Sequence, residues 1–168
     1  FVLEEIGKDE EHNAVIKERR NGQGAEVAGV TVEGKVAYLS LVQLQAGVTW
    51  QKSHYTRPEK WSKDSSVPAE KRIFRTPDWY GYFTATYSPV KPLNIALSGT
   101  YTGSMIVQHM KGYIPKDIAV TTPDFFDMNL KISYDFSLYK FITLQLNAGI
   151  QNIFNAYQRD FDRGKERD

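Results

Sequence analysis

Three histidines, His12, His54 and His109, come first for chemistry, because an imidazole can ligate a metal or move a proton. None has a second ligand at metal-binding spacing, so each reads as a solvated side chain. The acidic run Glu4, Glu5, Asp9, Glu10 and Glu11 can gather oxygens around a hard cation. It lacks the ordered Asp-x-Asp-x-Asp-Gly loop that calcium sites use. Gly22-Gln23-Gly24 is too short and too far from any helix to cradle a phosphate, and marks a bulge instead. No Ser, His and acid are arranged by spacing as a nucleophile with its base. The expectation is a protein that is not an enzyme, with no metal site and no cofactor. Binding is better served. The stretch from Lys52 to Arg75 mixes Tyr55 and Trp61 with Arg57, Lys60, Lys63, Lys71 and Arg72. Rings and cations together can hold an anionic, aromatic-rich ligand by charge and stacking. Tyr55, Arg57, Lys60 and Trp61 are the candidate ligand-binding residues there. Met110 and Tyr113, beside Lys111, are their counterparts further along.

Those residues must be carried by something, and composition narrows what. The chain has 168 residues, 21 Lys+Arg against 20 Asp+Glu, and no Cys. That length suits one ordinary segment, taken as residues 1–168. A net charge of +1 argues against a nucleic-acid groove. Without Cys there are no disulfides, no thiol catalysis and no thiolate zinc site. No apolar run approaches the roughly 18–20 residues of a membrane-spanning helix.

Period two dominates instead. Phe126, Met128, Leu130, Ile132, Tyr134 and Phe136 alternate with Asp127, Asn129, Lys131, Ser133 and Asp135. Ile142 to Ile150 alternates likewise, as do Val42 to Trp50, Trp79 to Tyr87 and Leu93 to Met105. Val30, Val32, Val36 and Tyr38 extend the pattern upstream. Alternation of this length is strand with one apolar face. All seven prolines are expected between strands, since proline cannot donate to a ladder. Connections alternate in length. Tyr38 to Leu41, Ser88 to Pro92 and Phe136 to Phe141 are tight turns, whereas Thr56 to Pro77 and Gln108 to Pro123 are long and polar.

A soluble sandwich of two sheets also alternates. Three features favour a transmembrane β-barrel. The strands are long enough to cross a bilayer at a tilt, short and long connections take turns, and the apolar face carries no charge. Trp50, Trp79, Tyr38, Tyr87, Phe126, Phe136 and Phe154 gather near strand ends, with Ala46, Ala85 and Gly99 toward the middle, as in interfacial girdles. The fold expected is therefore all-β: an antiparallel up-and-down meander of about seven long strands, part of a larger barrel. The first strands would be Phe1 to Ile6 and one long strand from Val15 to Tyr38. Tyr80, Tyr82, Asp127, Lys131 and Asp135 would line the polar side. The charged end Arg163 to Asp168, and a start without Met, read as the limits of a piece of a longer chain.

Leu144-Gln145-Leu146-Asn147-Ala148-Gly149-Ile150-Gln151-Asn152-Ile153-Phe154-Asn155-Ala156-Tyr157 resembles the penultimate strand of TonB-dependent outer-membrane receptors. The aromatic Tyr157 comes one residue early. Gly24-Ala25-Glu26-Val27-Ala28-Gly29-Val30-Thr31-Val32-Glu33-Gly34 resembles an inward strand of the same family, and Gln45-Ala46-Gly47-Val48-Thr49-Trp50-Gln51 the outward strand after it. The resemblance implies the C-terminal part of a barrel of about 22 strands. Plug domain and TonB box would lie upstream and the closing strand downstream. It implies a Gram-negative outer-membrane importer of a ferric siderophore, haem, cobalamin or glycan. Implied partners are TonB, the small-molecule nutrient, outer-membrane lipid and lipopolysaccharide, and a surface lipoprotein. The cations of the Lys52 to Arg75 stretch can equally meet lipopolysaccharide phosphates or stay solvated. Two alternatives stand beside this reading: a small structural or adhesive outer-membrane barrel, and a secreted β-sandwich binding module.

Overall fold

The computed structural model describes residues 2–9, 11–12, 14–20, 22, 24–112 and 114–157. They fold as strands, with no helix among the described residues. In chain order these are β1 (Val2–Asp9), β2 (Ala14–Arg20), β3 (Ala25–Tyr38), β4 (Val42–Glu59), β5 (Glu70–Arg72), β6 (Trp79–Val90), β7 (Leu93–Thr102), β8 (Ile106–His109), β9 (Ile118–Thr121), β10 (Phe125–Tyr139) and β11 (Ile142–Ile150). The largest sheet has seven strands in the order β11-β10-β7-β6-β4-β3, with β5 paired to β4. The long strands therefore neighbour one another in chain order, as an antiparallel meander does. The sheet is open, and β3 and β11 end its path.

Two compact units are distinguished. One comprises Phe1–Val27 with Ser53–Ile73, and the other Ala28–Lys52 with Phe74–Asp168. In the first unit, β1 and β2 form a separate antiparallel hairpin, with Glu5 opposite Lys17 and a register shift before Gly7. Lys63 Nζ donates to Glu5 Oε1 at 2.7 Å. That contact, together with the ammonium charge, holds the Glu5 carboxyl below its ordinary value. Just ahead of β3, Gly24 takes a φ of +85°, which suits glycine, and its carbonyl accepts from Thr56 N–H at 3.1 Å. The expected single strand from Val15 to Tyr38 is two strands, β2 and β3.

The second unit holds the meander. Its hairpin turns all fall at one end of the sheet: Leu39 to Leu41, Lys91-Pro92 and Lys140-Phe141. Leu39 takes φ +52°, and Leu41 N–H closes the turn on Tyr38 O at 3.2 Å. The segment between β7 and β10 forms a β8–β9 hairpin with Ile106 opposite Thr121. Asp124 ties down the approach to it, accepting from Ser104 N–H at 2.9 Å and Tyr101 O–H at 2.7 Å. Met105, Ile106 and Val107 are buried, Val107 completely. With Val67 they make up the buried apolar side chains of the described residues. A globular domain of this length buries well over half its surface on folding. These strands do not enclose such a core.

Several expectations need correction. Among the described residues there are eleven strands: beside the long ones stand short β5, β8 and β9, and the expected strand from Val15 to Tyr38 is divided into β2 and β3. Pro58 and Pro89 lie inside β4 and β6 rather than between strands. Both sit in register irregularities, between the His54 and Glu59 pairings and between the Tyr87 and Val90 pairings, where no ladder donor is demanded. β4 also continues to Glu59, so His54, Tyr55 and Arg57 stand on a strand, not in a loop.

Candidate functional site

Register fixes which side chains share a face, because directly opposed residues point the same way. In the second unit, Leu44, Ala85, Leu97, Leu130 and Ile150 form one row across β4, β6, β7, β10 and β11. The next row is Val42, Tyr87, Ile95, Ile132 and Ala148. In the other direction come Ala46, Phe83, Gly99 and Met128, then Val48, Gly81, Tyr101 and Phe126, then Trp50 opposite Trp79. Every one of these positions is uncharged. The face is also open: Phe126 is 36% exposed, Ile132 40% and Leu144 46%, with Leu130 half-buried. A sandwich would bury these side chains under a second sheet, and among the described residues none covers them.

Aromatic side chains edge this face. Trp50 and Trp79 pack with ring centroids 6.3 Å apart, and Phe126 and Phe154 at 5.9 Å, near the ends joined by the long connections. Near the hairpin turns, Tyr134 and Phe136 lie 4.5 Å apart, with Tyr38, Tyr87, Tyr139 and Phe141 also exposed. Mostly aliphatic and small residues fill the rows between.

The reverse face is polar and hydrogen-bonded. Gln45 Nε2 donates to Tyr82 Oη, and Tyr82 O–H donates to Glu33, each at 3.2 Å. Thr31 and Thr49 hydroxyls meet at 2.9 Å. A chain runs from Ser133 Oγ to Asn147 Oδ1 at 2.8 Å, from Asn147 Nδ2 to Gln145 Oε1 at 3.3 Å, and from Gln145 Nε2 to Asp135 Oδ1 at 2.8 Å. A shallow hollow of about 790 Å³ opens here, lined by Thr84, Ser98, Asn129, Lys131 and Asn147 among others. Tyr80, Tyr82, Asp127, Lys131 and Asp135 all share this side by register, as their phase requires.

The end of β11 accounts for the Asn residues of its motif. Asn152 and Asn155 take φ of +48° and +51°, a region asparagine tolerates well. Asn152 Oδ1 accepts from Ala156 N–H at 2.7 Å, and its Nδ2 donates to Ala156 O at 2.9 Å. The amide therefore clamps the turn that presents Phe154 to Phe126.

The sequence-predicted binding residues are divided. Tyr55 and Arg57 on β4, with Lys60 and Trp61 just after it, belong to the first unit. Tyr55 and Trp61 are half-buried, and Arg57 and Lys60 exposed. Their segment is ordered by Asp64, which accepts from Ser66 N–H at 2.9 Å through its side chain and from Val67 N–H at 3.2 Å through its carbonyl. Met110 is exposed in the second unit, and Tyr113 lies outside the described residues. His12 contacts Asp9 at 2.9 Å and His54 contacts Glu26 at 3.4 Å. No group of three potential metal ligands occurs among the described residues. Sequence reading missed the buried Met105 to Val107 cluster and its Asp124 clamp. Its signal is the apolar run Met105-Ile106-Val107, just ahead of the polar connection from Gln108 to Pro123.

No family profile, curated protein or solved structure matches the chain.

Proposed function

We propose that this chain forms part of the wall of a transmembrane β-barrel in a Gram-negative outer membrane, and that the barrel is a TonB-dependent importer of a scarce nutrient such as a ferric siderophore, haem, cobalamin or glycan. The observation that carries the membrane reading is the apolar face. It is continuous across the meander, uncharged, exposed, and bordered by rings at both ends. A water-exposed patch of that extent is not tolerated by ordinary soluble proteins. Its height also fits. From Phe126 to Phe136 the strand advances about 34 Å, which at a tilt near 45° spans about 24 Å, close to the apolar band of outer-membrane barrels. Short turns at one end and long connections at the other are the usual arrangement of periplasmic and outer sides.

The importer reading goes further and rests on the motifs around Gly24 to Gly34, Gln45 to Gln51 and Leu144 to Tyr157. The wall segment has no catalytic part in it. Coupling to TonB belongs to the plug region of such importers, while lipid and lipopolysaccharide meet the wall and a surface lipoprotein meets the outer connections. Cargo contact is assigned to Tyr55, Arg57, Lys60 and Trp61, with Met110 and Tyr113. Cells expressing the full-length protein should take up one of a ferric siderophore, haem, cobalamin or an oligosaccharide, and a protonophore should abolish that uptake. Arg57→Ala with Trp61→Ala should raise the half-saturating concentration of that cargo while the barrel stays heat-modifiable on gels. Uptake of none of these, or uptake indifferent to the protonophore, would refute the importer reading and leave the membrane reading standing.

A further inference from the structure

The two neighbouring hairpins of the meander end at different heights. The β7 ladder on β10 stops at the pair Leu93 and Tyr134, whereas β10 continues to Tyr139, opposite Ile142. Beyond Leu93, Asp135 N–H still donates to Pro92 O at 2.8 Å. Strand alternation points the N–H of Ser137 the same way, past Leu93, the first residue of β7. The step leaves a notch of about 520 Å³ lined by Lys91, Pro92, Tyr134, Phe136, Ser137 and Thr143, together with Asp135 and Leu138.

The chemistry of this notch is one-sided. Lys91 is exposed and enters no ion pair among the described residues. The Ser137 N–H adds a donor in the plane of the sheet, while the Ser137 and Thr143 side chains share the polar face with Asp135 and Gln145. The carboxylate of Asp135 is already engaged by Gln145 on the polar face. Over residues 38–42, 87–93 and 134–142, which make up the turn end of the sheet, the charged side chains are Lys91, Lys140 and that one Asp. Two cations against one engaged acid give this end a positive character. Beside the notch, on the apolar face, the Tyr134 and Phe136 rings pack at 4.5 Å. A lysine lining the same notch as a pair of lipid-level rings matches a molecule with a phosphate at one end and acyl chains at the other.

We infer that the notch holds the phosphate of a phospholipid from the turn-side leaflet, with Lys91 as its cation, the Ser137 N–H as hydrogen-bond donor and the Tyr134–Phe136 pair against the acyl chains. This rests on the lipid-facing reading of the apolar face. A net-anionic phospholipid is favoured over a zwitterionic one, because choline or ethanolamine would compete with Lys91 for the same phosphate.

The full-length protein would be inserted into phosphatidylglycerol vesicles, extracted into mild detergent, and its retained lipid counted by native mass spectrometry. Wild type should keep a phosphatidylglycerol that Lys91→Gln loses by about fivefold, the effect of one lysine near an anionic surface. Phosphatidylcholine vesicles should leave less lipid on wild type, and millimolar inorganic phosphate should not displace what is kept. Equal retention by wild type and Lys91→Gln, with both heat-modifiable, would overturn the inference. So would release by inorganic phosphate, which would assign the notch to a free anion. Failure of wild type to insert into either vesicle would bring down the lipid-facing reading and this inference with it.

Discussion

Leu97→Arg should cost about 2–4 kcal/mol of folding stability in a lipid bilayer, while Ser98→Arg should cost much less. The two residues are adjacent on β7 and point to opposite faces. Leu97 sits in the middle row of the apolar face, between Ala85 and Leu130. A guanidinium there must lose its hydration among acyl chains, or drag water and headgroups inward. Ser98 lies between Thr84 and Asn129 in the polar hollow, where an added cation keeps its water and gains acceptors. Reversible folding of the full-length protein into vesicles, titrated with denaturant, measures both. Equal costs would mean that the two faces meet the same solvent.

A second large effect is expected at Gly81, for a backbone reason. A Cβ built there would stand 2.7 Å from the carbonyl oxygen of Gly47 and 3.4 Å from Val48 Cα on the neighbouring strand. That obstacle is main chain inside a ladder, so it cannot swing aside like the tip of a side chain. Gly81→Ala should therefore destabilise the sheet by about 1–3 kcal/mol, as overpacking generally does. Gly34 on β3 is the control, since nothing lies within 4 Å of its Cβ position. Gly34→Ala should be neutral or stabilise by up to about 1 kcal/mol, through the lower entropy of the unfolded chain. The same folding titration reads both variants, and a cost at Gly34 matching that at Gly81 would refute the close-approach explanation.

The long strands were legible because their alternation is unbroken. Phe126 to Phe136 declares its two faces residue by residue, and the observed register joins those faces to Leu93–Thr102 and Ile142–Ile150 without a phase error. Short elements were not. Ile106–His109 and Ile118–Thr121 have only four residues each, too few for a period to rise above composition, and their pairing depends on contacts with Asp124 and Thr122 that no local pattern announces. Pro58 and Pro89 misled for a related reason. A proline stops a ladder only where its missing donor is required, and bulges remove that requirement. Of the binding residues, Arg57 reads from its polar neighbours as part of the connection from Thr56 to Pro77. β4 carries it anyway, since β5 pairs with the strand's extension through His54 and Arg72.

These 168 residues hold no Cys, so the central claim can be tested directly by introducing one labelled cysteine at a time, with any cysteine elsewhere in the full-length protein replaced by Ser. Spin labels placed singly at each position from Phe126 to Phe136, in the full-length protein reconstituted in lipid, would be probed with oxygen, which partitions into the bilayer, and with a water-soluble nickel chelate. The account predicts that oxygen accessibility peaks at 126, 128, 130, 132, 134 and 136 and that chelate accessibility peaks at the odd positions between them. Chelate access equal at even and odd positions would contradict it.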